Sequence, residues 1–177
     1  MALHIWTAGH STRPSADFLA LLGAGEVRLL VDVRRFPGSR RFPQFNQAQL
    51  SEDLARESIA YRHYGALGGR RSKRSAGSQN TAWRVEQFNA YADHMQSDEF
   101  LEALERLMGE ASQGNTAIMC SEALPQRCHR RLISDALVIR GWHVHHLLTP
   151  TRIEEHTLTP FAQVDGTRLT YPSPTLF

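Results

Sequence analysis

The order of segments along the chain predicts an α/β fold, a mostly parallel sheet with helices on both faces, in a single compact domain. Three observations predict it. Strand-like runs alternate with helix-like ones over nearly the whole chain, which is the arrangement that crossover connections produce. Two strand-like runs, Val27 to Val33 and Thr116 to Cys120, are almost continuously apolar, as strands buried on both faces are. At 177 residues and 41% hydrophobic content the chain is long enough to bury one sizeable core.

Leu3 to Ala8 is a short apolar run ended by Gly9, a strand entering a turn. Pro14 sits where a helix begins, and Phe18, Leu19, Leu21 and Leu22 form its apolar stripe until Gly23 and Gly25 stop it. Val27 to Val33 is the second strand. Arg34 to Gln47 is rich in Arg, Pro, Gly and Phe and reads as a loop. Gln47 to Glu57 reads as a helix, Ile59 to Tyr64 as a short strand, and Leu67 to Ser78 as a second loop carrying Gly68-Gly69-Arg70-Arg71-Ser72-Lys73-Arg74. Helices are predicted over Trp83 to Met95 and Asp98 to Ala111, the latter with Phe100, Leu101, Leu104, Leu107 and Met108 at helical spacing. Thr116 to Cys120 is the next strand. A helix from Pro125 to Arg140, a strand from Trp142 to Leu148 and an edge strand near Arg168 to Tyr171 complete the prediction. The core is expected over about residues 3–148, with 150–177 packed on it as a tail.

The N-terminal residues carry neither a basic region nor a long apolar one, and no apolar run is long enough to cross a bilayer, so a cytoplasmic protein without a membrane partner is expected. Two cysteines exclude a disulfide scaffold. The formal charge of +2 conceals an asymmetry: 12 of the 20 Lys and Arg lie between Arg28 and Arg84, opposed there by only Asp32, Glu52, Asp53 and Glu57. Such a block favours an anionic partner, although a solvated basic face explains it equally simply.

In parallel sheets ligands bind beyond the carboxyl ends of the strands. Three strands end in chemically capable residues: His10 and Ser11 after the first, Asp32 and Arg34 after the second, and Cys120, Ser121 and Glu122 after the fourth. Pro125 suits a first helical turn, which places Arg127, His129, Arg130 and Arg131 at the positive end of a helix dipole. A bound anion would compensate them, as would a structural ion-pair network including Glu122. An anion-binding pocket is therefore expected, walled by Ser11, Arg34, Ser39, Arg127, Cys128, His129, Arg130 and Arg131, with Arg70 and Arg71 from the second loop.

Asp32 and Glu122 are the carboxylates expected there, as general acid and base. Asp32 can instead serve structurally, bridging Arg34 or capping a turn. His10 can move a proton or cap the turn after the first strand. Cys128 recurs with Leu132, Ala136 and Ile139 at helical spacing and reads as a buried hydrophobe. Cys120, at a strand end close to arginines, is the candidate reactive thiol. A cysteine-phosphatase loop would need Arg six positions after it, and position 126 is Gln. His143 and His145 face one side of their strand and His146 the other, so no metal is expected, and no cofactor.

Taken together, Thr7-Ala8-Gly9-His10-Ser11, Asp32-Val33-Arg34, Pro37 with Ser39, Leu67-Gly68-Gly69, Cys120-Ser121-Glu122, Cys128-His129-Arg130 and His145-His146-Leu147 resemble the DUF488 domain, a family of small bacterial proteins whose label records an unknown function. The common form has Ile where this chain has Ala8. The resemblance implies one α/β domain with a shared polar pocket and no settled reaction.

From the residues, an enzyme acting on nucleic acid or a phosphate-bearing nucleotide is expected, by hydrolysis, for example an N-glycosylase using paired carboxylates. Arg40, Arg41, Lys73 and Arg74 would add phosphate contacts, and Phe36, Phe42, Tyr61 and Tyr64 can stack on bases or equally belong to the core, whereas Phe45 and Trp83 read as core. Two alternatives stay open: a thiol or sulfur-handling protein using Cys120, and a non-catalytic nucleic-acid-binding module.

Overall fold

Five parallel strands form the centre of the fold, and the order in which the chain lays them down decides where a site can open. A computed structural model describes residues 1–175. The strands are β1 (Leu3–Gly9), β2 (Leu29–Asp32), β3 (Ala60–His63), β4 (Thr116–Cys120) and β5 (Trp142–Thr149), with β6 (Arg152–Glu155) antiparallel at one edge. Their order across the sheet is β3-β2-β4-β1-β5-β6. The helices are α1 (Ser15–Ala24), α2 (Gln47–Arg56), α3 (Glu86–His94), α4 (Asp98–Ala111) and α5 (Arg130–Val138). No helix of the described residues is long and apolar enough to cross a membrane.

Alternation along the strands divides the core between the two faces. Ile5, Val31, Ile118 and Val144 point to one face and pack with Tyr91, Phe100, Leu104, Leu107 and Leu132 of α3, α4 and α5. Ala8, Leu30, Ala117, Met119 and Leu147 point to the other and pack with Phe18, Leu21, Leu22, Leu50 and Leu54 of α1 and α2. Adjacent strands β1 and β4 therefore feed crossovers on opposite faces, α1 on one and α5 on the other. This is the topological switch point, where the loops diverge and leave a crevice.

Two expectations need correction. The helix predicted from Pro125 to Arg140 is interrupted: Pro125–Arg127 forms a 3-10 turn, Cys128 is extended at φ −135° and ψ 149°, and α5 starts at Arg130. The break has a cause, because His129 Nε2 donates to the Val33 carbonyl at 2.9 Å, tying this segment across to the end of β2. The edge strand predicted near Arg168 to Tyr171 is instead β8 (Arg168–Thr170), paired only with β7 (Gln163–Asp165) in a separate hairpin. The sheet edge beyond β5 is β6, which turns back tightly from it.

Candidate functional site

The crevice at the switch point is a cavity of about 590 Å³. Its floor is made by the ends of β1 and β4, which stay paired beyond the ladder: His10 N–H donates to Cys120 O at 3.0 Å and Ser11 N–H to Ser121 O at 2.9 Å. Gly9 permits this approach, since a Cβ there would lie 1.7 Å from the Glu122 carbonyl oxygen. Arg34, Arg35, Phe36, Ser39, Arg41 and Phe42 wall one side, Gly69, Arg70, Phe88 and Tyr91 another, and Glu122, Arg127, Cys128 and His129 the third.

His10 is buried and stacks on Phe45, ring centroids 4.3 Å apart. Its Nδ1–H donates to the Ser11 carbonyl at 2.9 Å, leaving the Nε2 lone pair towards Arg34 at 3.5 Å. Burial, with Arg34 and Arg130 nearby, lowers its pKa to about 4, so the ring is neutral.

At the other end of the floor His129 presents bare Nδ1 to Cys128 Sγ at 3.6 Å, because its Nε2 carries the proton given to Val33 O. Burial pushes the Cys128 thiol up, but a hydrogen bond from Cys120, the charge of Arg130 and the Arg130 N–H outweigh it and bring the pKa to about 6. Burial raises the Cys120 thiol well above its usual range, and its bond to Cys128 adds to this. Cys128 is thus the more acidic sulfur of the pair, and it is buried in the core as its helical spacing with Leu132 and Ala136 predicts.

The sequence model of the family described as Domain of unknown function DUF488 matches residues 15–137 of the chain. The chain belongs to the DUF488 family. No curated protein and no solved structure matches it. The span matched to DUF488 includes Asp32, both basic loops and the Cys120 to Arg131 segment, while His10 lies before it and β5 after it.

Of the site residues expected from sequence, His10, Ser11, Arg34, Ser39, Arg70, Cys120, Glu122, Arg127, Cys128 and His129 line the cavity together. Four do not. Asp32 is fully buried behind Arg34 and accepts from Arg34 N, Nε and NH2 and from the Tyr61 hydroxyl, so its oxygens are engaged as the bridging alternative required. Arg130 points inward, 1% exposed, onto Cys120 Sγ, Thr7 Oγ1 and Glu122 O. Arg131 lies over the Trp83 ring and donates to Thr159 on the far side of the loop. Arg71 staples its own loop by donating to Gly65 O and Gly68 O. Sequence reasoning missed Arg35, Phe88 and Tyr91, for which spacing gives no signal. Among the described residues no group of three His, Cys, Asp or Glu is placed to hold a metal ion.

Proposed function

We propose that the protein is an enzyme that takes a phosphate-bearing nucleotide or a nucleic-acid strand into this cavity and hydrolyses it. One observation carries the reading: the lining holds five guanidinium groups, Arg34, Arg35, Arg41, Arg70 and Arg127, and one carboxylate, Glu122. Asp32 offsets Arg34 from behind. Arg41, Arg70 and Arg127 remain to meet phosphate oxygens, Arg35 already donates to Arg70 O, and Phe36, 62% exposed, is a stacking surface.

Glu122 is the group to orient and deprotonate water, and the lone pair of neutral His10 is a second acceptor for a proton. The N-glycosylase version with Asp32 as the paired carboxylate loses its support, because those oxygens are already engaged. A second reading, thiol chemistry in the same cavity, is favoured by the Cys128 and His129 pair, with Cys128 taking the role first expected of Cys120.

The test is binding of a labelled single-stranded oligonucleotide by anisotropy, and of a mononucleotide by calorimetry, across a salt series. Affinity is expected to fall linearly in log-log form, with a slope of roughly −2 to −3 for three or four phosphate contacts on a single strand. No binding at low salt, or binding indifferent to salt, removes the nucleic-acid and nucleotide reading. Glu122→Gln is expected to abolish hydrolysis and preserve binding, and full activity in that variant excludes Glu122 from the mechanism.

A further inference from the structure

Behind the cavity floor a buried chain of side chains runs from Arg130 through the core to Asp135. Tyr171 O–H donates to Asp135 Oδ2 at 2.8 Å, and Thr159 N–H to Oδ1 at 3.0 Å. His156 Nε2 lies 2.7 Å from Asp135 Oδ1, and His156 Nδ1 lies 2.9 Å from His146 Nε2. His146 Nδ1 lies 2.7 Å from Thr7 Oγ1, which accepts from Arg130 NH1 at 3.0 Å.

With both rings neutral, the carboxylate sets the direction of every hydrogen bond in this chain. Asp135 only accepts, so His156 Nε2 carries a proton, and in a neutral ring its Nδ1 is then bare. Bare Nδ1 requires a proton on His146 Nε2, which leaves His146 Nδ1 bare in turn. Thr7 must then donate its hydroxyl proton to His146, and its lone pairs are left facing Arg130. Burial, helped by His156 and Arg130, lowers His146 to about 3, in keeping with the neutral ring this order demands.

Arg130 is a buried guanidinium whose hydrogen bonds go to sulfur, a hydroxyl and carbonyls, with no carboxylate among them. A charge so buried needs an opposite charge. The groups that face Cys128 are Cys120 from β4, Tyr91 from α3, and His129 and Arg130 at the start of α5, with Arg71 behind Tyr91 and His129. Among them the two thiols are the acidic groups closest to Arg130, through Nε to Cys120 at 3.1 Å and backbone N–H to Cys128 at 3.4 Å.

We propose that Asp135, His156, His146 and Thr7 are positioning residues, a relay that holds the Arg130 guanidinium on Cys120 Sγ, where its charge lies beside Cys128 and favours a nucleophilic thiolate there. The inference rests on the second reading above, thiol chemistry in the cavity. It assigns a task to residues up to five hydrogen bonds away from the sulfur.

Ultraviolet thiolate absorbance against pH tests it without a substrate and without access to the buried sulfur. The wild type is expected to ionise with a midpoint near pH 6, a transition lost in Cys128→Ser. Thr7→Val and His156→Gln are each expected to raise that midpoint by about one unit, a tenfold loss of thiolate below it, while Thr7→Ser keeps it. Thermal unfolding identifies variants that fold, and either of the two suffices. If folded variants keep the wild-type midpoint, the relay is overturned and the thiol reading stands. If the wild type has no thiolate below pH 8, the thiol reading falls and the relay with it.

Discussion

The Asp32 carboxylate closes on Arg34 along three lines, accepting from its backbone N–H at 3.0 Å, Nε at 2.9 Å and NH2 at 2.7 Å. Both side chains are buried, and Tyr61 O–H completes the carboxylate at 2.6 Å. The pair holds one wall of the cavity and leaves Asp32 no free oxygen for catalysis. Asp32→Ala would strand a buried guanidinium, which costs about 3–5 kcal/mol. Urea denaturation is expected to show that loss. Glu122→Ala, at an exposed position, is expected to stay within about 0.5 kcal/mol of wild type.

Gly9 makes the sharpest steric prediction. Its hydrogen stands where a Cβ would meet Glu122 O at 1.7 Å and Glu122 C at 2.6 Å, both backbone atoms that cannot swing aside. Gly9→Ala must push β1 away from the Cys120 to Glu122 turn, and overpacking of this kind costs at least about 1–3 kcal/mol. Gly23→Ala, with open space around its Cβ, is the control expected to be neutral or mildly stabilising.

Acid should destabilise the protein through its buried histidines. His10 and His146 have folded pKa values of about 4 and about 3, below the 6.5 of a free histidine. Over that interval the unfolded chain takes up protons that the folded one refuses. Stability is therefore complete above pH 6.5 and lost as pH falls towards about 4 for His10 and about 3 for His146. Urea midpoints are expected to be flat between pH 7 and 8 and to fall below 6.5. In His10→Leu the slope should drop by about 1.4 kcal/mol per pH unit. A slope unchanged in that variant would show that His10 titrates alike in both states.

The parallel sheet was legible because strands buried on both faces leave continuous apolar runs, as Val27 to Val33 and Thr116 to Cys120 do. The meeting of three strand ends followed from their being parallel. The directions of individual side chains did not follow. Arg130 and Arg34 are identical in type and close to the same cavity, yet Arg34 lines it and Arg130 turns inward to the sulfurs, a choice made by Thr7 on another strand. The periodic spacing of Cys128 to Leu132 and Ala136 predicts a helix through it. The tie from His129 to Val33, 96 residues away in the chain, breaks that helix, and local spacing carries no trace of it. Asp135 and His156 were unremarkable in sequence for the same reason.

Two cavity arginines reach the lining from outside the α-helices and strands, Arg70 in a loop at φ 55° and Arg127 in the 3-10 turn, and both are exposed. Removing either leaves the core untouched. Under the proposed function, Arg70→Ala and Arg127→Ala are each expected to weaken oligonucleotide binding similarly for all sequences and to make the salt slope shallower by about 1. Thermal unfolding should hardly move. Arg131→Ala, a cation over Trp83 outside the cavity, is expected to leave the salt slope alone and to lower stability by about 0.5–1 kcal/mol.

Tyr171 ties the C-terminal tail to the core. It is fully buried, packs against Trp83 at 5.1 Å between centroids, and gives its hydroxyl to Asp135. Its backbone N–H donates to Asn80 Oδ1, and its carbonyl accepts from Thr81 and Ala82. Tyr171→Ala would open a cavity beside Trp83 and cost about 3–5 kcal/mol, whereas Tyr171→Phe keeps the packing and loses one hydrogen bond to a charged group, about 1.5–3 kcal/mol. The conservative variant also probes the relay, because Asp135 then holds His156 with the Thr159 N–H as its one remaining other partner among the described residues. Denaturation should rank the two variants in that order. Equal losses would mean that the ring contributes little and that the hydroxyl accounts for the attachment of the tail.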